Sequence, residues 1–338
     1  MKVQGTSCVF ATHVARVLAG AALLFSPVIA SGAQASAAPP PVFRVFGVDA
    51  IGTSIAVSAG SFPAILGPAD AVVLARSDYF SDALAGGPLA AVVNGPLLIT
   101  PGASSSATLD PRVLAEIQRV IPAGHTVYIL GGPLALSPNI DVTLVGLGYP
   151  VVRVQGVNQF ATAVAIAARL GNPSTIFEAT GLDFADALSA VPATIRMHGA
   201  ILLTSGATQS PETAAYLAAH PMVTRYAIGG PLAAAGADPS AIPIFGPDLF
   251  ATSAAVATTF FSGAQGFGAA TGFNFPDALS GGPVLRQFAP MLLVAPHAPL
   301  PAPIAQYLAT QPITLGVVFG GPLAVGDDVL AALAAAVG

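Results

Sequence analysis

Three stretches of this chain are copies of one motif: Asp82-Ala83-Leu84-Ala85-Gly86-Gly87-Pro88, Asp186-Ala187-Leu188-Ser189-Ala190-Val191-Pro192 and Asp277-Ala278-Leu279-Ser280-Gly281-Gly282-Pro283. The copies lie 104 residues apart from Asp82 to Asp186 and 91 apart from Asp186 to Asp277. A chain that repeats itself folds as repeated units. It also narrows the functional question. An active site needs one constellation of unlike groups, whereas like units point to a scaffold or a multivalent binder.

The surroundings of the motif repeat as well. Each unit opens with a short β-branched or aromatic run (Val42 to Phe46, Val151 to Gln155, Ile242 to Phe245) closed by Gly47, Gly156 or Gly246. A helical stretch follows, then a second strand (Ala71 to Ala75, Thr175 to Ala179, Gly268 to Thr271) and the Asp-Ala-Leu motif, which begins the second helix. A third apolar run and a further helix lead to a fourth strand, which ends in Gly131-Gly132-Pro133-Leu134-Ala135, Gly229-Gly230-Pro231-Leu232-Ala233 or Gly320-Gly321-Pro322-Leu323-Ala324. Apolar strands alternating with helix-length segments predict βαβ units, a parallel sheet and right-handed crossovers. The expected fold is α/β: three tandem Rossmann-like or flavodoxin-like sandwiches over residues 42–150, 151–242 and 243–338.

Ahead of them, Lys2, His13 and Arg16 precede an apolar run from Val17 to Ala30, and Ala33-Gln34-Ala35 offers an A-x-A cleavage site. That pattern predicts a signal peptide over 1–35, a secreted product and a short Ala/Pro linker over 36–41. The apolar run is shorter than the roughly 20 residues that span a bilayer, so no membrane span is expected to be retained. Cleavage would take Cys8, the only cysteine, and Lys2, the only lysine. Of 11 basic residues, nine arginines would remain against 16 acids, a net charge of −7. That balance argues against a nucleic-acid partner. Charged residues make up only 8 % of the chain against about 25 % in ordinary soluble domains, which fits sheets buried on both faces.

The stretch Ala270-Thr271-Gly272-Phe273-Asn274-Phe275-Pro276-Asp277-Ala278-Leu279-Ser280-Gly281-Gly282-Pro283, with the later Gly-Gly-Pro-Leu-Ala end, resembles the signature of the type 2 cell wall-binding repeat family. The resemblance runs through nearly all of the chain beyond the signal, in three copies. It implies three Rossmann-like domains around a pseudo-threefold axis, a location on the bacterial cell wall or surface, and noncovalent attachment to an anionic wall polymer. It also implies the wall-binding module without a cargo domain. Part of the family's opening motif, Arg-x-x-Gly followed by Arg-Tyr-x-Thr-Ala, is altered. Arg44 and Arg153 keep its first arginine and Pro243 replaces it. Ile51, Gln159 and Leu249 stand near the second arginine, Phe160 and Phe250 replace the tyrosine, and Thr53, Thr162 and Thr252 remain.

Asp82, Asp186 and Asp277 each open a helix, where a carboxylate accepts backbone N–H bonds and complements the dipole. They are also candidates to accept sugar hydroxyls. The Gly-Gly-Pro turns lack the G-x-G-x-x-G fingerprint, and proline supplies no N–H for a phosphate nest, so tight strand-to-helix turns are expected. No G-x-S-x-G elbow and no H-E-x-x-H occurs, and the histidines sit at unlike offsets from the motif aspartates. Neither a metal nor a cofactor is expected. Arg196 and Arg286 each stand four residues before a third strand, placed for a helix C-terminus, an anionic polymer or a neighbouring unit. Tyr216 and Tyr307 align with Ile117, which favours helix packing over sugar stacking.

The reading is a non-catalytic wall-binding module whose clefts between units act together by avidity. Its polymer contacts are expected from Arg44, Arg153, Arg196, Arg286, Asp82, Asp186 and Asp277. The negative charge leaves a neutral glycan, or self-association into a surface coat, as variants. The alternative is a secreted hydrolase or nucleotide-dependent transferase, for which Arg76, Asp78 and Tyr79 form a polar cluster unmatched in the other units.

Overall fold

A computed structural model describes residues 41–102 and 108–337. The predicted signal peptide, and all of the linker except Pro41, lie outside the described residues. The first repeat contains β1 (Val42–Val45), α1 (Ala50–Ser61), β2 (Ala71–Arg76), α2 (Ser81–Val92), β3 (Leu97–Thr100), α3 (Pro111–Val120), β4 (Thr126–Leu130) and α4 (Pro138–Gly146). The second runs β5 (Val151–Val154), α5 (Gln159–Arg169), β6 (Thr175–Thr180), α6 (Ala185–Arg196), β7 (Ala200–Thr204), α7 (Pro211–Ala219), β8 (Thr224–Ile228) and α8 (Ala234–Ala237). The third runs β9 (Ile242–Ile244), α9 (Leu249–Phe260), β10 (Gly266–Thr271), α10 (Pro276–Leu285), β11 (Met291–Val294), α11 (Ala302–Ala309), β12 (Leu315–Phe319) and α12 (Asp327–Ala336).

All strands pair in parallel, in three four-stranded sheets ordered β3-β2-β4-β5, β7-β6-β8-β9 and β11-β10-β12-β1. The strand that opens each repeat therefore joins the sheet of the preceding repeat. The ring closes because β1 lies against β12, with Val42 opposite Gly316 and Val45 opposite Phe319. The helix after each opening strand returns to its own repeat, so α1 packs on β3 and α3, α5 on β7 and α7, and α9 on β11 and α11. Strand and helix thus strap neighbouring units together.

The hinge of each strap is the glycine that closes the opening strand. A Cβ on Gly47, Gly156 or Gly246 would collide with the backbone or the Cβ of the helix that follows. Each of these glycines donates its N–H to the threonine six residues on, with Gly47, Gly156 and Gly246 each 3.1 Å from Oγ1 of Thr53, Thr162 and Thr252. The three retained threonines are therefore backbone clamps. The helices that follow are capped alike, by Asp49 on Gly52 N–H (2.6 Å), Asn158 on Ala161 N–H (2.8 Å) and Asp248 on Ala251 N–H (2.7 Å).

The motif helices α2, α6 and α10 pack against one another and define a pseudo-threefold axis. At their amino ends Phe80, Phe184 and Phe275 meet in a triangle with centroids 5.5 to 5.8 Å apart. These separations and edge-on geometries are the favourable ones for aromatic rings. The Gly-Gly pairs explain how closely the helices approach. The first glycine faces a sheet, so a Cβ on Gly86 or Gly281 would strike Leu130 or Phe319. The second faces the axis. The second repeat has Ala190-Val191 there, and Val191 occupies the space left by Gly87 and Gly282: a Cβ would lie 2.6 Å and 3.0 Å, respectively, from its Cγ1. One valine thus fills the gap opened by two glycines.

Candidate functional site

Because the three motif helices point the same way along the axis, the carboxyl ends of the strands feeding them lie at one end of the molecule. In open α/β sheets that end collects the loops that bind ligands. Three related surface regions recur there, one per sheet. Each is bounded by the Gly-Gly-Pro turn of one repeat, the loop after the next repeat's opening strand, and a motif aspartate.

The Gly-Gly-Pro segments are turns. Gly131, Gly229 and Gly320 have φ of 87°, 107° and 112°, the left-handed region that favours glycine. Their N–H groups donate to Val154, Ile244 and Val45 carbonyls at 2.9, 3.1 and 3.0 Å. Those donors are engaged with the neighbouring strand and are not aimed at a phosphate. The following Leu134, Leu232 and Leu323 project into solvent, 90, 90 and 99 % exposed. Val48 and Val157 are likewise almost fully exposed, and Phe46, Phe245, Leu182 and Phe273 are exposed on loops of the same end. Scattered exposed apolar residues are normal, but the same leucine exposed in every repeat is a pattern.

Arg44 and Arg153 buttress two of these turns. Arg44 donates to the carbonyls of Gly320 (2.8 Å) and Val325 (2.7 Å) and to Asp327 (3.0 Å). Arg153 repeats the arrangement on Gly131 O (2.8 Å) and on both carboxylate oxygens of Asp141. Each guanidinium ties the opening strand of one repeat to the turn and helix of the previous one. The third copy, Pro243, has no donor. On that sheet Arg225 instead pairs with Asp238 at 2.7 Å.

The motif aspartates occupy the second helical position of α2 and α6, and likewise of α10, rather than the cap, which in each is a phenylalanine with no side-chain cap bond. The expected capping bonds are absent because each carboxylate turns toward the turn glycine of its own sheet. A Cβ on Gly131, Gly229 or Gly320 would collide with Asp82, Asp186 or Asp277. Burial pushes the carboxyl of Asp82 up to about 6, with Arg76 and the Thr162 hydroxyl opposing. Burial, with Asp183 adding to it, also pushes Asp186 up to about 6. Asp277 is raised by burial too, opposed by the hydroxyl of Thr53. At two of the three aspartates, then, the clamp threonine of the next repeat faces the carboxylate.

Arg196 and Arg286 lie at the opposite end of the central helices. A 12-residue helix such as α6 is about 18 Å long at 1.5 Å per residue, which separates them from the aspartates. Both bridge units: Arg196 donates to Gln287 O (2.7 Å) and Arg286 to Asn94 Oδ1 (2.8 Å). The structure thus brings Arg44, Arg153 and the aspartates to one end and these two arginines to the other. Tyr216 and Tyr307 are buried helix residues, and Tyr307 donates to Phe261 O at 2.9 Å.

Two polar clusters break the symmetry. Arg76 chelates Asp78 (2.8 and 2.7 Å) and lies over the Tyr79 ring, whose hydroxyl donates to Gln159 of the second repeat (3.3 Å). In the second repeat Glu178 is fully buried, accepts from Gln209 (2.6 Å) and faces Asp238. Burial pushes Glu178 up to about 8, so it carries its proton at neutral pH. Its sequence signal was a lone Glu in an apolar strand, which does not reveal its partners. The exposed leucines were likewise missed, because Gly-Gly-Pro-Leu-Ala reads as turn chemistry and exposure is invisible in it. Among the described residues no group of three His, Cys, Asp or Glu could hold a metal ion, and no helix is long and apolar enough to cross a membrane.

Comparison with known proteins agrees with this architecture. The chain is 26 % identical over 244 residues to the N-acetylmuramoyl-L-alanine amidase LytC of Bacillus subtilis, covering 71 % of this chain and 47 % of the amidase. It is 32 % identical over 133 residues to the Amidase enhancer of the same organism, covering 39 % of this chain and 18 % of the enhancer. It therefore spans about half or less of these curated relatives. Cwp8 from Clostridium difficile superposes with a TM-score of 0.76 at 23 % identity, over 88 % of this chain and 51 % of Cwp8. Cwp6 from the same organism gives 0.78 at 20 % identity, over 92 % of this chain and 51 % of Cwp6. At such identities the likeness is one of fold. The model of Cell wall binding domain 2 (CWB2) matches residues 44–141, 153–235 and 244–330. The match covers each of the repeats, and the chain belongs to the CWB2 family of cell wall-binding domains.

Proposed function

We propose that this chain is a secreted, non-catalytic module that attaches to a cell wall polymer through the three surface regions at the carboxyl ends of its sheets. The observation that carries this reading is the recurrence of one exposed leucine, Leu134, Leu232 and Leu323, beside a turn whose backbone is locked by buried groups. An exposed aliphatic side chain on a rigid turn suits the apolar face of a sugar ring, and the preformed turn lowers the ordering cost of binding. Three weak contacts on one rigid body combine through effective concentration. In this reading Arg44, Arg153, Asp82, Asp186 and Asp277 hold these regions in shape. Arg196 and Arg286, at the far end, would contact polymer only if it wrapped around the molecule. The overall negative charge opposes a polyanion at long range, although salt screens this beyond about 8 Å.

The test is cosedimentation with purified walls. The chain should pellet with them, and Leu134→Ser/Leu232→Ser/Leu323→Ser should remain in the supernatant while keeping its circular dichroism. Single replacements should weaken binding much less than the triple one, as avidity requires. Failure of the unaltered chain to pellet at any ionic strength would refute the proposal. The enzymatic alternative has less support. The acidic pair Glu178 and Asp238 lies inside the second unit, and Arg76 and Asp78 neutralise each other.

A further inference from the structure

At the end of the molecule remote from these regions, the threefold pattern breaks once. Helices α2 and α6 end ten residues after their motif aspartates, at Val92 and Arg196, whereas α10 ends eight after Asp277, at Leu285. The link to the next strand is also shorter. Seven residues separate Pro283 from Pro290, against eight from Pro88 to Pro96 and from Pro192 to Ala200. The third helix thus stops about half a turn short, and Arg286 follows it at once with φ of 49°, where Asn94 (47°) and His198 (51°) come two residues after the other helices end. That conformation costs an arginine about 1 to 2 kcal/mol and persists only where its surroundings enforce it.

The shortened helix end borders a cleft of about 310 Å³. This is at the lower limit of small-molecule sites, and about twice the volume of an apolar cavity that admits benzene. Its walls are buried and therefore preformed: Phe62 from the first repeat, and Phe261, Phe267, Leu285 and Val317 from the third. Two guanidiniums, Arg196 and Arg286, complete the lining, and no Asp or Glu is among the lining residues. In a chain of net charge −5 such a boundary selects for the sign of a ligand. Arg196 meets neutral groups: the carbonyl of Gln287, and the ring of Phe261 5.4 Å below its Cζ. The fork keeps further N–H donors for an anion.

We propose that this cleft binds a small anionic amphiphile: a carboxylate carried on a short alkyl or aryl body. The apolar body lies among Phe261, Phe267 and Leu285, and the carboxylate accepts from Arg196. This site lies at the end of the molecule remote from the exposed leucine turns, and it is set apart from the related pocket between the first two repeats, lined by Pro88, Leu170 and His198, by its buried phenylalanines and by Arg196.

Calorimetric titration of the whole chain with octanoate, octanol and octylamine separates head-group charge from chain burial. Octanoate should bind about tenfold more tightly than octanol, as one charge-assisted bond requires, and octylamine should be weakest. Arg196→Gln, an exposed change, should lower octanoate affinity about tenfold and leave octanol unchanged. Val284→Trp, at the lining, should abolish both. Amide shifts on octanoate addition should centre on Phe261 to Phe267 and spare the turns of Leu134, Leu232 and Leu323. The proposal is overturned if octanoate does not bind, if the three head groups bind alike, if Arg196→Gln is without effect, or if the shifts fall on the leucine turns. Should Val284→Trp fail to fold, the head-group comparison and Arg196→Gln decide alone.

Discussion

Replacing Gly87 by alanine tests the packing at the axis. Alone, the new Cβ would lie 2.6 Å from Val191 Cγ1, inside van der Waals contact, while Val191 is itself only 3 % exposed. Overpacking of this kind costs about 1 to 3 kcal/mol. Alanine in mid-helix returns about 1 kcal/mol over glycine, so Gly87→Ala should be destabilising by zero to about 2 kcal/mol. Val191→Ala removes two buried methyl groups at about 0.8 kcal/mol each and leaves part of a cavity, for a loss of about 2 kcal/mol. In the double variant the clash is gone. Gly87→Ala should then be stabilising by about 1 kcal/mol, so the two changes are coupled by about 1 to 3 kcal/mol. Urea denaturation of the wild type, both single variants and the double variant, read by far-UV circular dichroism, closes the cycle. Losses that add to within about 0.5 kcal/mol would show that the valine does not fill the place of the glycines.

Stability should rise on mild acidification. Asp82 and Asp186, at about 6 in the folded chain, lie above their ordinary value of 3.8, so their contribution is complete below the unfolded value and is lost as pH rises through the folded one. Going from near pH 8 to near pH 5 should gain about 1 kcal/mol for each, and Glu178 should add to this in the same direction. The urea midpoint measures it, and Asp82→Asn/Asp186→Asn/Glu178→Gln should flatten the profile. Arg44→Ala removes charge-assisted bonds to two carbonyls and to Asp327, and should cost about 2 kcal/mol, with amide exchange accelerating first in β1 and β12. Gly229→Ala forces a Cβ against the Asp186 carboxylate at a φ of 107°, and should lower the melting temperature more than Gly146→Ala, where a Cβ meets nothing. Equal losses would contradict the assigned turn.

Much of this architecture could be read from the residues. Continuous apolar runs such as Ala200 to Thr204 identified buried parallel strands, and the repeated motif placed three like helices. The Thr that survives in each opening motif was visible as a residue but not as a clamp, because its partner, the hinge glycine, is set by a turn. The motif aspartates were legible as helix-start acids, yet their desolvation depends on a glycine turn 43 to 49 residues away in each repeat. Arg196 and Arg286 carried the correct local signal, a cation at a helix C-terminus. Nothing local tells on which end of the assembled molecule they lie.

Local sequence determined the four strands of each unit and the three helices between them, because hydrophobic period and turn chemistry act within a few residues; the caps of the motif helices and the helix after each fourth strand were not legible in it. Tertiary structure alone decided which sheet each opening strand joins. Val42 to Val45 could pair with any parallel edge of suitable pattern, and the choice of β12 rests on Arg44 reaching Gly320 and Asp327, more than 270 residues away. It also decided that Val191 would fill the space of two distant glycines, and that three leucines of identical context would stay in water. These outcomes are contacts between segments remote in the chain, and their energies exist only once the ring has closed.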